Sequence, residues 1–112
     1  MQKISKIRFV DKKINLAFQE LAIGKTTEKN LYKFLLRAFE DLEENAFCGI
    51  QIPKKQIPKE YIKKHDIDNC WKYNLPGAWR LIYSVIDNKE VFVISLILEW
   101  LNHKSYEKRF RY

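Results

Sequence analysis

The run Trp79-Arg-Leu-Ile-Tyr-Ser-Val-Ile86 decides the fold of this 112-residue chain. Large apolar side chains occupy every second position of it, at Trp79, Leu81, Tyr83 and Val85. Such alternation is typical of a strand that buries one of its two faces. We therefore expect this face to lie under helices and the opposite face to carry Arg80.

Two similar runs flank this strand, Asn69–Asn74 and Glu90–Leu98, and both are rich in β-branched and aromatic residues. The breaks between the runs are short, Leu75-Pro-Gly-Ala78 and Asp87-Asn-Lys89. Pro/Gly and Asp-Asn breaks of this length favour hairpin turns. The three runs are predicted to form an antiparallel meander.

The N-terminal half is predicted to add one strand and two helices. Residues 3–10 alternate loosely and form a first strand at one sheet edge. Asp11 caps a helix from Lys12 to Ile23, and Gly24 ends it as a residue free to adopt a positive φ. A second helix starts at Thr26 or Thr27, with apolar residues at three- and four-residue steps. The predicted fold class is α+β, with two N-terminal helices packed on a small antiparallel sheet in the order β-α-α-β-β-β.

The rest of the chain is less regular. Gly49 to Lys64 is predicted to be a connector that contains Pro53 and Pro58, with one helical turn at Pro58–Lys64. The last ten residues form either a short helix or an extended tail. The length predicts a single domain, residues 1–112.

Composition excludes several classes of protein. The 46% hydrophobic and 14% aromatic residues are too many for a disordered basic tail. The longest apolar stretch, Val91 to Leu98, is far shorter than the roughly 20 residues of a membrane span. The N-terminus has no apolar segment typical of a secretory signal, so we expect a cytoplasmic, non-membrane protein. Cys48 and Cys70 lie in no metal-ligand spacing, which predicts reduced thiols, no metal and no cofactor.

The net charge of +7 is concentrated in the C-terminal half. Residues 1–50 carry nine basic and seven acidic side chains, whereas residues 51–112 carry twelve and seven. Basic side chains interleaved with aromatic ones favour single-stranded nucleic acid as a partner. The candidate RNA-binding residues are Lys54, Lys55, Tyr73, Lys104 and Arg109. Lys63 and Lys64 are equally compatible with an ordinary solvated face.

Arg80 is the first candidate for chemistry, because a strand interior is a poor place for a charge that serves only solubility. It either pairs with a carboxylate across the sheet or offers its guanidinium to a phosphate. If the hairpin is symmetric about Pro76, Lys72 falls opposite Arg80 on the neighbouring strand. Two cations on one sheet face repel each other unless an anion binds between them.

His103 and Tyr106 are the second candidate pair, spaced i, i+3. They share a face if the tail is helical and do not if it is extended. Because Lys104, Tyr106 and Arg109 surround it in the sequence, His103 is a candidate general base. His65, among lysines and aspartates of the connector, is interpreted as a structural residue.

The stretch from Cys70 to Tyr106 resembles the C-terminal sheet of the RelE/ParE superfamily of toxins from toxin–antitoxin pairs. The resemblance rests on three blocks: Trp79-Arg-Leu-Ile-Tyr83, Val91-Phe-Val-Ile-Ser95 and His103-Lys-Ser-Tyr106. The predicted order of strand, two helices and meander is also that of the family, although the N-terminal half matches in layout alone.

The resemblance implies a metal-independent endoribonuclease that cuts mRNA, on the ribosome in the RelE branch, and is neutralised by an antitoxin protein. In that chemistry the ribose 2′-hydroxyl attacks the adjacent phosphate and leaves a cyclic phosphate and a free 5′-hydroxyl. Lys72 is similar to a basic residue of the family's second strand, and Arg80 to its phosphate-binding arginine. Tyr106 is similar to the C-terminal tyrosine that orients the nucleotide.

This sequence also departs from the family pattern. Asn74 stands where a second lysine is expected, and a further family arginine falls near Glu99 and Trp100. The general base and acid therefore stay open between His103 and Glu99. Two alternative functions remain: a ParE-like inhibitor of DNA gyrase, which would lack the catalytic set, and a degenerate RNA-binding module without cleavage.

Overall fold

The computed structural model describes residues 4–87 and 92–111. It confirms the α+β class, with helices packed on one sheet. The elements are β1 (Ile4–Phe9), α1 (Lys12–Leu21), α2 (Thr26–Glu44), β2 (Ile50–Gln51), α3 (Lys59–His65), β3 (Trp71–Leu75), β4 (Trp79–Asp87), β5 (Phe92–Leu101) and α4 (His103–Phe110).

The sheet has the strand order β1-β5-β4-β3-β2. Strands β3, β4 and β5 form the predicted antiparallel meander, and β1 lies at the predicted edge. The prediction of a purely antiparallel sheet is wrong, because β1 runs parallel to β5. No hairpin joins these two strands, so nothing in the connection forces them to be antiparallel. The second predicted turn, residues 87–89, falls largely outside the described residues.

The first hydrophobic core lies between the sheet and the helices α1 and α2. The alternating apolar face of β4 points into it, as predicted, with Leu81 and Tyr83 fully buried. Phe18 of α1 and Leu35 and Phe39 of α2 face these strands from the helical side. The hydroxyl of Tyr83 donates to the Ala46 carbonyl at 2.9 Å, which ties the end of α2 to the sheet.

A second core covers the opposite face of the sheet and was not predicted. It is formed by the connector and the tail, which fold into the short helices α3 and α4. Its buried members are Ile52, Ile57, Tyr61, Ile67, Cys70, Ile82, Leu98, Leu101, Tyr106 and Phe110. The connector also contributes β2, which pairs with β3 at the other sheet edge. The sheet therefore has a helical layer on each face.

The local signals at helix ends and turns are confirmed in part. The Asp11 carboxylate accepts a hydrogen bond from the Ile14 amide at 2.9 Å, as expected for an N-cap. Helix α1 ends at Leu21 rather than Ile23, and Gly24 does not adopt the positive φ expected of it. Among the described residues, positive φ occurs in the β3–β4 turn, at Gly77 (74°) and Ala78 (63°), and at the ends of α3 and α4, at Asp66 (53°) and Arg111 (54°).

The reactivity of the two cysteines can test whether the second core excludes solvent, because Cys70 belongs to that core. Cys70 is fully buried and Cys48 is exposed, and burial raises the pKa of the Cys70 thiol to about 12. Because thiolates are the reactive form, we expect iodoacetamide at pH 8 to modify Cys48 and to leave Cys70 unmodified. Mass spectrometry should find one alkylated thiol in the native protein and two in 6 M guanidinium as control. Rapid alkylation of both thiols in the native protein would contradict burial under α3 and α4.

Candidate functional site

The candidate site lies on the sheet face that α3 and α4 cover only in part. Residues two apart on a strand share a face, so Lys72 and Asn74 of β3 lie on one side with Arg80 and Ile82 of β4. Leu101 of β5 is paired with Arg80 and lies on the same side. This face therefore combines apolar residues of the second core with two basic side chains near its margin.

The predicted pairing of Lys72 with Arg80 is wrong, because the hairpin is centred on Gly77 rather than Pro76. Asn74 is the residue opposite Arg80, and Lys72 is opposite Ile82. Lys72 and Arg80 are nevertheless diagonal neighbours on one face, which keeps their side chains within reach of each other. Moving the centre of the hairpin by one residue, from Pro76 to Gly77, moves the partner of Arg80 by two residues, from Lys72 to Asn74.

Lys72 and Arg80 both lie in contact with Tyr106. The Lys72 Nζ lies 5.2 Å from the centroid of the Tyr106 ring, and the Arg80 Cζ lies 5.4 Å from it. Both distances are within the range of cation–π attraction. One aromatic ring thus supports two cations that the sequence separates by eight positions.

Arg80 has no ion pair with a carboxylate anywhere in residues 4–87 and 92–111. Its Nε is buried without a hydrogen-bond partner, and Nη1 donates to the Trp79 carbonyl at a long 3.4 Å. The alternative of a cross-sheet carboxylate partner is therefore absent from the described structure. Buried donors are nearly always satisfied, so an unsatisfied guanidinium nitrogen beside Lys72 indicates a place where an anion can bind.

Tyr106 lies beneath the two cations and is only 2% exposed. Its ring stacks on Phe110, with centroids 4.6 Å apart. In this position the ring supports the side chains of Lys72 and Arg80 and does not offer a free face to a nucleotide base. The signal that could have indicated this is the i, i+4 spacing of Tyr106 and Phe110, which places both on one face of a helix.

His103 occupies the first turn of α4, so the tail is helical. Its side chain is 58% exposed, and its Nε2 contacts the carboxylate of Glu107 one turn later. Tyr106 faces the sheet, whereas His103 lies toward solvent with Glu107. The structure thus places His103 on the solvent side of α4 and gives its imidazole a carboxylate that can orient it.

Glu99, the other candidate base, belongs to a cluster with Tyr61 and Arg109. The Tyr61 hydroxyl donates to Glu99 Oε2, and the Arg109 Nε lies 3.6 Å from the same oxygen. Arg109 Nη1 also donates to Glu60 of α3. Burial first, and then the hydrogen bond to Glu99, raises the pKa of Tyr61 well above its usual range. Tyr61 was missed by sequence reasoning, because a single tyrosine among lysines gives no periodic signal.

The predicted RNA-binding residues lie on several different elements of the fold. Tyr73 lies on the opposite face of the sheet, where its hydroxyl donates to Asp41 of α2. Lys54 and Lys55 are exposed on a single 3₁₀ turn after β2, and Lys104 is exposed on α4. Arg109 is held by Glu60 and Glu99, and Glu60 is the principal cause that raises the pKa of its guanidinium. Among the predicted residues, the contacts found within residues 4–87 and 92–111 join Lys72, Arg80 and Tyr106.

A cavity of about 260 Å³ lies beside this cluster, lined among others by Tyr61, His65, Glu99 and Arg109. His65 lies over the Tyr61 ring at 6.2 Å between centroids, and burial and the neighbouring Lys64 lower its pKa. These contacts agree with a structural role for His65.

Within the described parts of the chain, no group of three His, Cys, Asp or Glu side chains is arranged to hold a metal ion. Over the same residues, no helix is both long and apolar enough to cross a membrane. Comparison of the chain with protein-family models, with curated proteins and with solved structures gave no match.

Proposed function

We propose that this chain is a RelE-like toxin, an endoribonuclease that cuts mRNA on the ribosome in the cytoplasm and is neutralised by an antitoxin protein. The observation that carries the proposal is the pair Lys72 and Arg80, held over the Tyr106 ring without a carboxylate partner in the described structure. An unneutralised lysine and arginine on one face suit a phosphodiester, whose charge grows as it is attacked.

In the proposed reaction the substrate supplies its own nucleophile. The ribose 2′-oxygen forms a bond to the adjacent phosphorus, the bond from phosphorus to the 5′-oxygen breaks, and a cyclic phosphate is left. Lys72 and Arg80 bind the non-bridging phosphate oxygens and stabilise their developing negative charge. A base accepts the proton of the 2′-hydroxyl, and an acid returns one to the 5′-oxygen.

Of the two candidate bases, His103 suits the role better. The Glu99 carboxylate is engaged by Tyr61 and Arg109, whereas His103 is exposed and its Nε2 contacts the Glu107 carboxylate. A carboxylate that holds one imidazole nitrogen orients the ring and leaves the other nitrogen for proton transfer, as in other acid–base sites. His103 is therefore the proposed proton-transfer group, with Glu107 as its orienting partner.

A second candidate function is an RNA-binding module without cleavage. It is favoured by the same contacts, because both Glu99 and His103 are already engaged by other side chains. In that case Lys72 and Arg80 would bind a phosphate without cutting next to it.

The test uses purified protein, a reconstituted translation reaction and a defined reporter mRNA, with EDTA-treated protein stock. We expect primer extension to detect new 5′ ends that appear only when the protein is present. The new 5′ ends should carry a free hydroxyl, shown by ligation only after kinase treatment. Intact message at a dose that stops translation would reject cleavage, and binding of RNA without new ends would identify the second candidate. Inhibition of supercoiling by purified gyrase, with intact message, would instead indicate a ParE-like inhibitor.

A further inference from the structure

Three elements meet at the cluster of Tyr61, Glu99 and Arg109. Tyr61 belongs to α3, Glu99 to β5 and Arg109 to α4. Glu99 is 22% exposed and receives the Tyr61 hydroxyl, while Arg109, 33% exposed, reaches both Glu99 and Glu60. The Arg109 Cζ also lies 5.9 Å from the centroid of the Tyr61 ring. Each member therefore contacts the other two.

Arg109 and Tyr106 are three residues apart on the same two-turn helix. Residues at this spacing are neighbours on a helix surface, so a contact that fixes one also fixes the rotation of the other about the helix axis. Phe110 holds the same helix by stacking on the Tyr106 ring, with centroids 4.6 Å apart, and by an edge-to-face contact with the Tyr61 ring at 6.0 Å. Stacked rings resist separation but tolerate sliding, whereas the ion pairs of Arg109 have a required direction.

We propose that Tyr61, Glu99 and Arg109 are positioning residues, which fix α4 on the sheet and thereby hold the Tyr106 ring against Lys72 and Arg80. The importance of this geometry for RNA rests on the proposed function, whereas the positioning of Tyr106 does not. Neither Glu99 nor Arg109 then contacts RNA directly. The sequence suggested that Glu99 is a base and that Arg109 is an RNA ligand. In this proposal both residues instead hold α4, and with it Tyr106, in position on the sheet.

The decisive variant is Tyr61→Phe, which keeps the ring and its stacking and removes only the hydroxyl bonded to Glu99. Its matched control is Tyr83→Phe, which also removes a buried tyrosine hydroxyl, one that donates to Ala46 and accepts from Gly49 on the other side of the sheet. Both substitutions are expected to lower stability, so stability alone does not separate them. The orientation of Tyr106 does.

The measurement is ¹⁹F NMR of protein labelled with 3-fluorotyrosine, in which the Tyr106 resonance is assigned by its loss in Tyr106→Phe. We expect Tyr61→Phe to shift or broaden that resonance and Tyr83→Phe to leave it in place. Arg109→Gln should reproduce the effect of Tyr61→Phe, and Arg109→Lys should restore part of it because a charge near Glu99 and Glu60 returns. The dissociation constant for a single-stranded RNA should rise about 3- to 10-fold in Tyr61→Phe, the usual coupling between residues of one network.

An unchanged Tyr106 resonance in both Tyr61→Phe and Arg109→Gln would overturn the positioning role. An equal shift in Tyr83→Phe would also overturn it, since the signal would then report general loosening. If the wild-type protein neither binds nor cuts RNA, the proposed function fails, but the fluorine spectra still decide whether the cluster positions Tyr106. The two failures are therefore distinguishable.

Discussion

Replacement of Arg80 by alanine is expected to reduce RNA cleavage about 100- to 1,000-fold, the usual cost of removing one donor that stabilises charge in a transition state. In the proposed site Arg80 is the residue whose guanidinium has no carboxylate partner in the described structure and one buried nitrogen without a hydrogen bond. Lys72 remains in Arg80→Ala and provides one positive charge, but as a single point and not as a planar fork. Cleavage rates on a fixed reporter mRNA, measured by primer extension, give the ratio directly.

The same substitution should have little effect on folding. A buried donor without a partner costs about 1–3 kcal/mol of stability, and its removal offsets the lost contact with the Tyr106 ring. Arg80→Ala should therefore unfold within about 1 kcal/mol of wild type in urea. This expectation separates a lost function from a lost fold.

Two further variants serve as controls for Arg80→Ala. Arg37→Ala removes an exposed arginine of α2 that pairs with Asp41 at 3.5 Å, far along the chain from the site, and should cleave like wild type. Arg80→Lys retains the charge without the fork and should recover part of the activity. Equal cleavage by wild type and Arg80→Ala would remove Arg80 from the mechanism, whatever the effect on stability.

The first core could be predicted from the sequence because its signal is regular and long. Leu81, Tyr83 and Val85 fall at every second position of one strand, and all three are buried under α1 and α2. Helix α2 spans 19 residues, enough for five turns of apolar residues on one side. A period that repeats this often identifies the buried face of the strand or helix.

The second core could not be predicted, because each of its pieces is short. Helix α3 has seven residues and helix α4 has eight, and each buries only one or two aromatic side chains among lysines. One or two apolar residues do not establish a helical period. The basic residues around them therefore indicated an exposed nucleic-acid-binding segment rather than a buried helix face. The contacts of Tyr61 with Glu99 and of Tyr106 with Lys72 are tertiary, and no local pattern encodes them.

The register of the β3–β4 hairpin could not be predicted for a different reason, the backbone conformation of the turn. The prediction that Lys72 lies opposite Arg80 depends on a hairpin that is symmetric about Pro76. The structure centres the turn on Gly77, which adopts φ of 74°, and Ala78 follows it with φ of 63°. Positive φ at an alanine is costly and is rarely anticipated from sequence. The candidate site survives the error because Lys72 and Arg80 share a face in either register.

The second core can be tested through Phe110, the aromatic residue that joins its two short helices. Phe110 is 6% exposed, stacks on the Tyr106 ring at 4.6 Å and meets the Tyr61 ring edge-to-face at 6.0 Å. Phe110→Ala leaves a cavity between two rings that the sheet cannot move to fill. We expect a loss of about 3–5 kcal/mol in the free energy of unfolding, the usual range for a buried phenylalanine.

Urea unfolding followed by tryptophan fluorescence measures this loss, because Trp71, Trp79 and Trp100 lie in three neighbouring strands and report on the whole sheet. Phe47→Ala is the control, because Phe47 also contacts an aromatic ring, that of Trp71 at 5.6 Å, but is 47% exposed. Its replacement should cost about 1 kcal/mol or less. If Phe110→Ala costs no more than Phe47→Ala, α4 is not part of the cooperative fold and cannot hold Tyr106 in place. If it costs the expected amount, the basic tail is a structural layer of the domain, and Lys72 and Arg80 depend on it for the ring beneath them.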